Sequence, residues 1–96
     1  MVLIPKDLLT KIPKLYTSEN DPDPMVWVKL FYPDFSWTWY IIEYDGNDLC
    51  FGYVEGFENE LGYFSLNELR SNRGAIGLPI ERDRYFLPRR LSEVRK

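Results

Sequence analysis

The chain has no histidine and a single cysteine, Cys50. Without histidine there is no Cys/His zinc site and no nucleophile activated by an imidazole base, and one cysteine cannot build a disulfide framework. Long apolar runs are also lacking. Stretches such as Trp37 to Ile42 fall far short of the roughly 18 residues a membrane-spanning helix needs, and the opening MVLIPKDLL lacks the basic-then-apolar order of a signal peptide. There are no internal repeats and no low-complexity tract. A reduced, cytoplasmic setting is the expectation.

What is present is a small, aromatic-rich chain. Its 96 residues are 45% hydrophobic and 28% charged, with six phenylalanines, seven tyrosines and three tryptophans. That length predicts one domain over residues 1–96, burying roughly 60 to 70% of its unfolded surface. The formal charge of −3 conceals a segregation along the chain. Residues 15–68 carry eleven acids against Lys29 alone, whereas residues 69–96 carry eight bases against Glu81, Asp83 and Glu93. Two arrangements suit such asymmetry: an acidic face offered to a basic partner, or basic termini folded back onto an acidic middle.

The local signals predict an α+β domain, an antiparallel meander sheet of four to five strands with two or three short helices packed on one face. Pro5 and Asp7 ahead of Leu8, Leu9 and Ile12 predict a short N-terminal helix over residues 6–14, limited by Pro13. The segment TSENDPDP reads as a loop. Residues 25–64 form the meander: MVWVKLFY, WTWYIIEY and LCFGYVE are rich in β-branched and aromatic residues, and a fourth strand lies around Leu61 to Phe64. Ser65-Leu66-Asn67-Glu68 has the spacing of a capping box and opens a short helix over residues 66–72. Residues 78–87, with Pro79 near their start, read as an extended edge segment, and residues 88–96 as a tail that forms a last helical turn or frays.

The turn Asp45-Gly46-Asn47-Asp48 predicts a two-residue hairpin loop with Gly46 and Asn47 at positive φ, setting Tyr44 opposite Leu49 and Ile42 opposite Phe51. The turn Pro33 to Ser36 sets Tyr32 opposite Trp37. Alternation along each strand then gives a core face of Val26, Val28, Leu30, Trp39, Ile41, Cys50, Gly52 and Val54. The opposite face carries Trp27, Phe31, Tyr40, Tyr44, Phe51 and Tyr53. Gly52 leaves a gap beside Ile41 and Trp39 into which a helix can fit.

The blocks WTWY, FGYVEG, ELGYFSLNEL and LPIERDRYF, spread from Leu8 to Leu91, carry a family likeness. The chain resembles an uncharacterised family of small proteins encoded on bacterial plasmids, phages and other mobile elements. The resemblance implies no activity and transfers no site residue. It does imply a context, since accessory proteins of mobile elements often act as inhibitors, adaptors or regulators of host or element machinery.

No constellation of catalytic residues stands out, and no metal ligand set or cofactor motif is read. The Glu55, Glu58, Glu60 cluster reads as a charged loop, and Asp21 and Asp23 lack a third ligand. Cys50 reads as a small buried hydrophobe. Gly74-Ala75-Ile76-Gly77 lacks the second helix of a nucleic-acid-clamping loop and the lysine of a P-loop, so it reads as a turn. The expected role is a non-enzymatic protein-binding module. Its partner-binding residues are the aromatic face (Trp27, Phe31, Tyr40, Tyr44, Phe51, Tyr53) and the acidic loops (Asp45, Asp48, Glu55, Glu58, Glu60), facing a basic protein surface. The alternative is a nucleic-acid module using Arg82, Arg84, Arg89 and Arg90 with the sheet aromatics. The plain alternative to both is that the C-terminal half packs over the aromatic face as a second layer, and the acidic charge of the meander favours a protein over a nucleic-acid partner.

Overall fold

The computed structural model describes residues 1–95; Lys96, the last residue of the expected tail, lies outside them. The element order is α1 (Lys6–Leu9), β1 (Met25–Val26), β2 (Val28–Phe31), β3 (Thr38–Tyr44), β4 (Leu49–Glu55), β5 (Asn59–Ser65), α2 (Leu66–Ser71), β6 (Glu81–Arg82), β7 (Arg89–Arg90) and α3 (Leu91–Val94). Five strands form one antiparallel sheet in the order β5-β4-β3-β2-β6, and β1 pairs with β7 in a second, two-stranded sheet. The fold is α+β. Among the described residues no helix is long and apolar enough to cross a membrane.

The first helix is shorter than the 6–14 expected. It ends at Leu9 because Ile12 turns down into the core and Pro13 directs its carbonyl to the Tyr44 amide, 3.0 Å away. A proline at that position has no amide to continue the helix. The expected strand from Met25 is interrupted at Trp27, whose amide bonds the Ile41 carbonyl at 2.8 Å. That break moves Val26 from the expected core face to the opposite one. Of the extended segment 78–87, only Glu81–Arg82 pairs as a strand, against Leu30 and Phe31.

The pairing of β2 with β3 follows the register set by the Pro33 to Ser36 turn, with Leu30 opposite Trp39 and Phe31 opposite Thr38. The β3–β4 register agrees with expectation from Thr38 to Ile41 and then slips by one. A bulge at Ile42 sets Glu43, not Ile42, opposite Phe51, and Tyr44 opposite Cys50, not Leu49. The loop beyond is correspondingly longer than the two residues expected. Gly46 adopts φ +86°, whereas Asn47 stays at negative φ, and the Asp45 carboxylate accepts the amides of Asn47, Asp48 and Leu49 at 2.8, 2.8 and 3.1 Å. An aspartate that satisfies three amides stabilises a turn in which a second positive φ is unnecessary.

Both faces of the sheet are covered. On the first, Val28, Leu30, Trp39, Ile41 and Cys50 pack with Leu3, Ile4, Ile12, Leu66, Leu69 and Ile80 from the N-terminal segment, α2 and the approach to β6. The gap expected beside Gly52 is filled by the Phe64 ring, and a side chain at position 52 would collide with the Tyr40 carbonyl. On the second face Val26, Tyr40, Ile42 and Tyr53 pack under Leu91, with Phe86 and Val94 around them. The C-terminal tail therefore closes the aromatic face.

Candidate functional site

The six aromatics expected to share one exposed surface are distributed over both sides of the sheet. Tyr53 and Tyr40 are 1% and 7% exposed, with their ring centroids 6.0 Å apart. Phe86 lies 5.9 Å from the Tyr40 ring, and the Arg95 guanidinium sits 5.5 Å above the Tyr53 ring. Tyr40 donates to Glu55 at 3.3 Å, and burial, followed by the Glu55 charge, pushes its phenol up to about 12. The bulge at Ile42 turns Tyr44 onto the first face, where it packs half-buried against the main core. Trp27, in the break between β1 and β2, packs against that same core. Phe31 is half-buried beside β6, and Phe51 lies half-buried on the second face, 5.1 Å from the Tyr63 ring.

The acidic residues divide in the same way. Asp45 shapes its own turn. Asp48 accepts the Ser65 hydroxyl at 2.6 Å and the Asn67 amide at 2.7 Å, so it caps α2 together with Ser65, whose hydroxyl accepts the Glu68 amide at 3.2 Å. Asp48 thus supplies a second cap for α2 from the β3–β4 loop, through the Asn67 amide. Glu55 is half-buried under Tyr40, while Glu58 and Glu60 are exposed.

The basic tail is drawn onto the acidic loop it was weighed against. Arg90 reaches the Asp21 carboxylate at 3.9 Å and the Asp23 carbonyl at 3.2 Å. Arg82 donates to the Val2 carbonyl at 2.7 Å, and Arg89 donates to the Leu87 carbonyl and lies over the Phe86 ring. Arg84 is exposed beside Tyr85, which is 93% exposed.

A different aromatic group is brought together at the end of the sheet where the β2–β3 and β4–β5 turns lie side by side. Phe57 is 94% exposed and stands edge-on to Trp37, with centroids 5.2 Å apart. Phe35 stacks on the other side of Trp37 at 6.2 Å, and Trp39 and Tyr32 continue the row inward at 6.0 and 5.5 Å. These rings, with Leu69 and Arg73, line an open cleft of about 450 Å³.

The cleft is shaped by backbone as much as by rings. Gly56 leaves the space that the Trp37 indole occupies, since a Cβ there would meet ring carbons at 2.7 to 2.8 Å. Across the mouth, the Asp34 carboxylate accepts the Ile76 and Leu78 amides at 2.8 and 3.3 Å and fixes the loop after α2. Gly74 is required there, because a Cβ would fall 1.4 Å from the Asp34 Oδ1. Tyr32 donates to the Leu69 carbonyl at 2.5 Å and pins the end of α2 to the sheet. Arg73 donates to the Arg70 and Asn72 carbonyls at 2.7 and 2.9 Å, placing its guanidinium at the rim.

Sequence reasoning left Phe35 and Phe57 aside as turn residues and read Trp37 as the first residue of a strand that in fact begins at Thr38. The signal was there in the topology. In a meander, the first and third turns lie at the same end, so aromatics in Pro33–Ser36 and in the Gly56-Phe57 turn must be neighbours.

A family model described as a protein of unknown function (DUF2958) matches residues 3–94. The chain belongs to that family. No curated protein and no solved structure matches the chain.

Proposed function

We propose that this member of the family is a non-enzymatic protein-binding module whose contact surface is the Phe35–Trp37–Phe57 cleft. The observation that carries the reading is Phe57, an aromatic ring 94% exposed yet held against Trp37 at the mouth of a cleft. Burying such a ring in a partner contributes about 2 kcal/mol, the size of an interface hot spot. Aromatic rings are stiff, so little side-chain entropy opposes the docking.

The exposed carboxylate of Glu58, next to Phe57 in the turn, favours a partner segment that offers an apolar side chain beside a basic one. A basic, nucleic-acid-handling or host-defence protein suits that description. The likeness to proteins of plasmids, phages and mobile elements supports the same direction, with this chain acting as an inhibitor or adaptor in the cytoplasm. The nucleic-acid alternative is the weaker reading. Tyr40 and Tyr53 lie beneath the tail, and Arg82, Arg89 and Arg90 are engaged with this chain's own carbonyls and acids.

Affinity capture from host cells tests the reading by comparison of variants. The wild-type chain recovers a specific protein, and Phe57→Ser reduces its affinity about 30-fold. Equal recovery by wild type, Phe57→Ser and Phe35→Ser overturns the reading.

A further inference from the structure

The strand β5 is an edge of the five-stranded sheet, and it is an unguarded one. It pairs without interruption with β4 from Asn59 to Ser65, and it has no lysine, proline or bulge, the usual devices that keep an edge from pairing further. The direction of its main-chain groups follows from its neighbours. The Leu49 carbonyl accepts the Asp45 amide on the β3 side, and the Asp48 carbonyl accepts the Leu66 amide on the β5 side. By alternation, Cys50, Gly52 and Val54 bond their partners Phe64, Gly62 and Glu60. The amides and carbonyls of Asn59, Leu61 and Tyr63, with the Ser65 amide, therefore point outward along an edge that has no further strand beside it; the Ser65 carbonyl, at the N-cap of α2, serves the first helical turn.

We propose that this edge pairs with the same edge of a second copy of the chain, antiparallel and centred on Gly62. In that register Leu61 faces Tyr63 of the second copy and Asn59 faces its Ser65, with the reciprocal pairs beyond the centre. The outward amides and carbonyls of Leu61 and Tyr63 then all find partners, and the Ser65 amide meets the Asn59 carbonyl, because outward residues are matched to outward residues. Leu61 and Tyr63, 41% and 51% exposed on the second face, cover each other. Glu60 lies opposite Phe64, so no like charges meet.

The result is one continuous sheet through both copies. A seven-residue edge is a small interface, so the association is weak and concentration-dependent.

The centre of the pair provides a direct test. Gly62 opposite Gly62 is a non-hydrogen-bonded pair, with Cα atoms about 4.5 Å apart, which is within disulfide reach. A Cβ at position 62 meets nothing within 4 Å, so Gly62→Cys leaves the fold intact. Under oxidised glutathione this variant forms a covalent dimer. Glu60→Cys, just as open to solvent, does not, because two such positions lie about 13 Å apart in this register. Buried Cys50 contributes no cross-link in either variant.

Sedimentation equilibrium from about 1 µM to about 1 mM gives the second measurement. The wild-type mass rises toward twice the 11.5 kDa of one chain. Tyr63→Pro, which removes an outward donor and no β4 bond, holds it at one chain. A wild type that stays at the single-chain mass throughout overturns the proposal. Equal cross-linking of Gly62→Cys and Glu60→Cys, or a doubling of mass that survives Tyr63→Pro, overturns it as well.

Discussion

Ser92 bonds Asp23 twice across 69 positions of sequence, its amide to one carboxylate oxygen at 2.8 Å and its hydroxyl to the other at 2.7 Å. This contact, with the Leu91 amide on the Pro24 carbonyl at 2.9 Å and the β1–β7 pair, holds the tail over Tyr40 and Tyr53. The hydroxyl bond foremost, then the amide bond, holds the Asp23 carboxyl below its ordinary value of 3.8. A carboxyl lowered in the folded state stabilises that state above the ordinary value, and the contribution is lost as pH falls through the lowered one. Docking of the tail therefore weakens in acid below about pH 4, and Ser92→Ala flattens that dependence. Near-ultraviolet circular dichroism from Tyr40 and Tyr53 follows the change.

Removing the tail has a larger effect. A chain ending at Arg90 loses Leu91 and Val94 and uncovers Val26, Ile42 and Tyr53. It is expected to bind a hydrophobic dye and to aggregate, because an apolar sheet face open to water recruits another.

Glu43 is 2% exposed, yet it lies on the apolar second face as a consequence of the bulge. Its carboxylate accepts the amides of Tyr16 and Ser18, each at 2.8 Å, together with the Ser18 hydroxyl. That grip holds Tyr16 at φ +71°, a left-handed conformation a tyrosine adopts only under constraint. Glu43→Leu leaves two part-buried amides without their acceptor and is expected to cost about 2 kcal/mol in urea unfolding. Glu43→Gln, which keeps acceptor oxygen on one side only, falls between the two.

Cys50 is fully buried in the main core, and burial above all, with Asp45 and Asp48 adding to it, pushes its thiol up to about 12. It is protonated and inaccessible at neutral pH. Ellman's reagent at pH 8 is expected to label it only as fast as the whole domain opens, and denaturant to make labelling immediate.

Gly56→Ala acts on the cleft and, through Trp37, on the margin of the main core against which that ring packs. The added methyl forces the Trp37 ring to move and withdraws the surface against which Phe57 stands. Partner capture is expected to fall about 10-fold, with a lowered melting temperature as Trp37 shifts against the core.

Much of the fold was legible in the sequence for local reasons. Strand identity followed from β-branched and aromatic runs, the β2–β3 register from a four-residue turn, and the α2 start from Ser65. What escaped were the places where one residue outweighs a pattern. Asp45 satisfies three amides and lengthens the turn, the bulge at Ile42 follows from it, and the bulge carries Glu43 and Tyr44 to faces that alternation denies them. The candidate site was harder to read, because its rings come from two turns separated by 20 residues that only the closed meander brings together. The charge asymmetry was visible, and one of the two arrangements it suited is the one formed where Arg90 of the tail folds back onto Asp21 and the Asp23 carbonyl.

The most direct measurement is photo-cross-linking in host cells with benzoylphenylalanine placed at position 57 and, separately, at position 85, both of which are solvent-exposed. If the Trp37 cleft is the contact surface, position 57 yields one discrete protein adduct, Phe35→Ser abolishes it, and position 85 yields none. An adduct at position 85 with none at position 57 contradicts the cleft as the binding site.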